Sequence, residues 1–120
     1  MLVVVATALL ATGCVGSQSP EERAAACQRL ADDVSGLDLS GLPDADDVEA
    51  TANALDPRLS ELRDPSAHEA AVDLHSSLHA LARALKRGDT EHANEVADEA
   101  RKAARDAADA CDLDPASFGL

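Results

Sequence analysis

The chain has 120 residues, 46% hydrophobic and 28% charged, which is a globular composition with room for one domain but not two. Ten Lys and Arg stand against 23 Asp and Glu, giving a formal net charge of −13, and so acidic a surface repels nucleic-acid phosphates and anionic lipid headgroups alike. There is no Trp or Tyr and a single Phe, Phe118, so no stacking platform for bases or sugars can be assembled.

Residues 1–15 are almost wholly apolar, and the first charged residue is Glu21. A run of this length is short of the roughly 20 residues that span a bilayer and fits the apolar stretch of a secretory signal. It ends Leu10-Ala11-Thr12-Gly13-Cys14. This resembles the lipobox of bacterial lipoproteins, a small residue and Gly followed by the cysteine that is lipidated. The resemblance implies a signal peptide over 1–13, cleavage just before Cys14, and a diacylglyceryl group with its palmitate-type chains on the Cys14 sulfur. Residues 14–19 would then tether the domain to the outer face of the bacterial cell membrane. Two alternatives are plain secretion without lipid and a buried N-terminal helix.

The three cysteines are an odd number, and an odd cysteine in an exported protein calls for an explanation. With Cys14 assigned to lipid by that resemblance, Cys27 and Cys111 remain as a pair, and an oxidising location favours their disulfide. The alternative is two separate buried thiols. Neither sits in a C-x-x-C or beside a histidine, so a cysteine metal site is not indicated.

From residue 20 to about 112 the chain reads as helices with distinct starts and stops. Ser19-Pro20-Glu21-Glu22 is a helix start: Ser can cap, Pro suits the first helical position, and Glu suits the positive end of the dipole. Cys27, Leu30 and Val34, flanked by Ala24 and Ala31, form one apolar face up to Gly36. A loop with Gly41 and Pro43 precedes a second pattern from about Asp44, with Val48, Ala52, Leu55, Leu59 and Leu62 in register. Pro57 lies inside it and predicts a kink or break near Asp56, or else a cap for a short separate helix.

Asp64-Pro65 starts a third helix, which ends at Gly88 after Lys86 and Arg87. Its seam is Ala71, Leu74, Leu78, Leu81 and Leu85. Asp89 caps a fourth, with Ala93, Ala97, Ala100, Ala104, Ala107 and Cys111 on one face, Val96 beside them, and an Asp98–Lys102 pair on the surface. Residues 113–120 read as a tail whose Leu113 and Phe118 could fold back. The fold expected is therefore all-α, an up-down four-helix bundle with one disulfide. An even helix count brings Cys27, near the start of the first helix, to the same end as Cys111, whereas three helices would separate them.

Candidate chemistry is sparse. His68, His75 and His79 fall within about 40° on the third helix, and His75 with His79 at i,i+4 could chelate Zn, Cu or Ni. Glu69 or Asp73 could assist, or His92 from the next helix. The same stripe also fits a solvent-facing flank of the leucine seam, and it lacks the Glu of a zincin motif. Ser76 and Ser77 beside His75 lack a strained elbow, an oxyanion hole and a separate orienting carboxylate. Asp44, Asp46 and Asp47 lack the Gly and distal Glu of a calcium loop. The sequence thus points to a non-enzymatic envelope lipoprotein without a cofactor. Its expected partners are the membrane, through the lipid, and another protein. The alternative is a transition-metal-binding envelope protein using His75 and His79.

Overall fold

Each helix begins where a short polar side chain can satisfy backbone amides that have no partner within the helix. The computed structural model describes residues 18–120. In it α1 spans Pro20–Ser35, α2 Ala45–Glu61, α3 Pro65–Lys86 and α4 Thr90–Ala110, with a short 3-10 helix at Pro115–Phe118 and no strand among the described residues. Ser19 caps α1 by accepting from the Glu22 amide at 3.1 Å, and Glu22 returns by accepting from the Ser19 amide at 3.0 Å. That backbone hydrogen bond from Ser19 leads in holding the Glu22 carboxyl below its ordinary value. Asp44, Asp64 and Asp89 cap the next three helices through the amides of Asp46, Ala67 and His92. Gly88, at φ +72°, takes the left-handed turn after α3 that a side chain would disfavour.

The helices alternate in direction around one core, as the up-down reading requires. Lys86 at the end of α3 meets Glu49 near the start of α2 at 2.6 Å, and Arg29 of α1 meets Glu61 at the end of α2 at 3.0 Å. Cys27 and Cys111 are disulfide-bonded with their Cα atoms 5.7 Å apart. Residues 1–17, where the expected signal peptide and the lipidation site Cys14 fall, lie outside the described residues.

Helix α2 runs unbroken through Pro57, so the separate short helix does not form. Pro57 cannot donate to the carbonyl of Asn53, but both residues lie on the exposed face of α2, where water can take that bond. Val48, Ala52, Leu55 and Leu62 are buried and Leu59 packs against the core, so the apolar register survives the proline.

Leu74, Leu78 and Leu81 of α3 are fully buried, as are Ala93, Ala97, Ala100, Ala104 and Ala107 of α4. Alanines on α4 let it lie closely along α3, and these two helices form the most extensive pairing in the bundle. On α1 the flank differs from expectation: Ala24 is exposed and Ala26 is buried. The surface pairing on α4 differs too. Asp98 binds Arg101 at 2.6 Å, and Lys102 reaches forward to Asp106 at 3.1 Å, so Asp98–Lys102 is not the pair that forms.

Helices α1 and α4 meet directly only marginally, although the disulfide ties them at one end. The segment after Cys111 lies against both. Phe118 is wholly buried there, with Leu37 and Leu39 of the α1–α2 loop also in the core. The Leu39 amide donates to the Gly119 carbonyl, and Arg101 of α4 donates to the Leu39 carbonyl at 2.6 Å. Loop and C-terminus together thus fill the space between α1 and α4.

Candidate functional site

The residues singled out for chemistry divide between two faces of α3. One face, turned to α2, holds His75 and His79. Their rings touch edge to face, with centroids 4.6 Å apart and planes at 84°. His75 is 18% exposed, and its Nε2 lies 2.8 Å from Asp56 Oδ1. That nitrogen is out of reach of water and lacks the alignment of a hydrogen bond. Near His79, Lys86 binds Glu49. The hydrogen bond from Lys86 holds the Glu49 carboxyl below its ordinary value, with the charge of His79 a smaller contributor, and Glu49 in turn raises Lys86.

His68 is placed elsewhere in its bonding. It is exposed, and its Nδ1 lies 2.9 Å from the Leu59 carbonyl, one turn into the end of α2. His92 on α4 stands 3.5 Å from Glu95. Among the described residues, no three His, Cys, Asp or Glu side chains are disposed to hold one metal ion. The structure brings His75 and His79 together and adds Asp56, which the sequence reading missed. Asp56 precedes Pro57 and lies outside the apolar register, so only its place one residue before the proline marked it.

The other face of α3, against α4, is an open groove of about 390 Å³ lined by Ser66, Glu69, Asp73, Asp106 and Asp109. Glu69 and Asp73 belong to this groove, away from the histidine pair. A second depression continues it past Ser76, Ser77, Glu99 and Lys102. The two serines therefore line the α3–α4 side while His75 meets α2, and no serine–histidine arrangement forms.

A third cluster sits at the end of the bundle where α1 begins. The Gln18 amide nitrogen donates to the Glu61 carbonyl at 2.6 Å, and its oxygen accepts from the Arg63 amide at 3.2 Å. Arg23 donates to the Ala110 carbonyl and lies 3.9 Å from Asp64 and 3.6 Å from Asp112. It thereby places a cation at the negative end of α4, where Asp109 and Asp112 would otherwise oppose the helix dipole. Asp112 itself takes a left-handed φ of 57° as the chain leaves the helix. Neither Gln18 nor Arg23 shows a periodic signal in sequence. No helix among the described residues is long and apolar enough to cross a membrane.

Comparisons with family models, with characterised proteins and with solved structures give no match to this chain.

Proposed function

We propose that the chain is an exported, lipid-anchored envelope protein whose acidic helical domain acts through protein contacts and carries no catalysis. The observation that carries this reading is the pairing of Cys27 with Cys111. It accounts for two of the three cysteines and leaves the one in Thr12-Gly13-Cys14, the lipobox-like segment. A buried disulfide across 84 residues also favours an oxidising compartment. Fractionation of cells expressing the full chain tests the proposal. The protein partitions with the membrane, and Cys14→Ser moves it to the soluble fraction. Equal partitioning of both would sink the anchoring.

A second reading, transition-metal binding, rests on His75 and His79, whose rings lie in contact on one face of α3. Calorimetric titration with Zn²⁺ or Cu²⁺ decides it. Stoichiometric binding lost in His75→Ala supports the site, and absence of binding heat removes it.

A further inference from the structure

We infer that the bundle stands end-on at the bilayer, with the α2–α3 turn and the end of α4 toward the lipid headgroups and the α1–α2 loop and α3–α4 turn pointing away. The inference rests on lipid attachment at Cys14. Its structural basis is the clamp on Gln18, whose side-chain amide bonds both the Glu61 carbonyl and the Arg63 amide. Residue 18 is thereby fixed at the α2–α3 turn. Gln18 is four positions after Cys14, and at 3.3–3.6 Å per extended residue this tether reaches at most about 14 Å. Helix α3 has 22 residues, or about 33 Å at 1.5 Å per residue. Gly88, at its far end, is therefore beyond the reach of the anchor.

A bundle lying on its side would have to present a long face to the headgroups. The anchored end already holds Asp64, Asp109 and Asp112 near Arg23 and Arg63, and lying flat on the α3–α4 face would add Glu69, Asp73 and Asp106, which an anionic leaflet repels. The α1–α2 side carries Arg23, Arg29 and Arg58, but each is already matched by carboxylates. Arg23 lies by Asp64 and Asp112, Arg29 by Glu61, and Arg58 by Asp33 and Glu61. None of these three arginines is left to hold the bundle flat. The end-on orientation places exposed Arg63, beside Gln18, at headgroup level.

The test uses the chain beginning at Cys14, with a diacyl lipid coupled chemically to the Cys14 thiol while Cys27 and Cys111 stay in their disulfide. It is bound to nanodiscs of phosphatidylcholine and phosphatidylglycerol containing a nitroxide-headgroup lipid. The orientation predicts that the amide NMR signals of Leu62, Arg63 and Asp112 are broadened away while those of Gly41, Gly88 and Asp89 persist. Broadening at Gly88 and Gly41, or equal broadening at both ends, overturns it. A flexible insert of about twenty residues after Gly16 lengthens the root-mean-square reach to about 27 Å and should erase the contrast between the ends. A contrast that survives the insert overturns the tether as its cause. Because the lipid is attached chemically, these outcomes are independent of whether a cell lipidates Cys14, which the mass of the cellular protein reads separately.

Discussion

Gly119 packs its Cα against the Leu37 carbonyl so closely that a Cβ there would come within 3.0 Å of that oxygen, and its φ of +79° is one that side chains rarely adopt. The chain end is therefore seated by backbone contact as well as by Phe118. Gly119→Ala should destabilise the domain by about 1–3 kcal/mol, from strain and loss of this seat. Chemical denaturation of the variant beside the parent measures it, and an unchanged midpoint would show that the C-terminus is not held there.

Phe118 fills the space between α1 and α4, which meet each other only marginally. Phe118→Ala should cost about 3–5 kcal/mol, the usual range for emptying a buried aromatic position. In the same variant, amide exchange should rise at Leu37 and Leu39, which share that space. A loss below 1 kcal/mol with unaltered exchange would place Phe118 outside the core.

The disulfide closes a loop with a sequence separation of 84. In the chain-entropy description, removing it with Cys27→Ala and Cys111→Ala together should cost about 4–5 kcal/mol. The parity of four antiparallel helices made this pair readable in advance, because helix count decides whether the start of α1 and the end of α4 share an end. Caps and the leucine seam were equally legible. Ser19, Asp64 and Asp89 each precede an apolar repeat, and Leu74, Leu78 and Leu81 keep one face.

What the pattern did not reveal follows from the same chemistry. Alanine marks no face, so Ala24 and Ala26 could exchange places in the reading without disturbing it. Leu37, Leu39 and Phe118 sit in irregular segments, where burial has no period to follow. In the histidine stripe the helical angle correctly grouped His75 with His79. It could not foresee Asp56 arriving from α2 or the Leu59 carbonyl engaging His68, because both come from another helix.

Glu61 joins α2 to α1 through Arg29 and also meets Arg58. The hydrogen bond from Arg29 leads in holding its carboxyl below the ordinary glutamate value. A depressed carboxylate contributes stability above its unfolded-state value, about 4.3, and loses it as pH falls through the lower folded value. Glu61→Gln should therefore be less stable than the parent at pH 7, by no more than about 1 kcal/mol for each of these partly exposed pairs. The difference should close below pH 4. Thermal melts of both proteins between pH 3 and pH 7 check this, and a gap that persists undiminished at pH 3 would refute the assignment.

The intact mass of the protein recovered from the membrane of a lipoprotein-processing bacterium tests the central claim most directly. The account predicts a chain that begins at Cys14, carries a diacylglyceryl group on that sulfur, and retains the Cys27–Cys111 disulfide. An unmodified chain beginning at any other residue would contradict it.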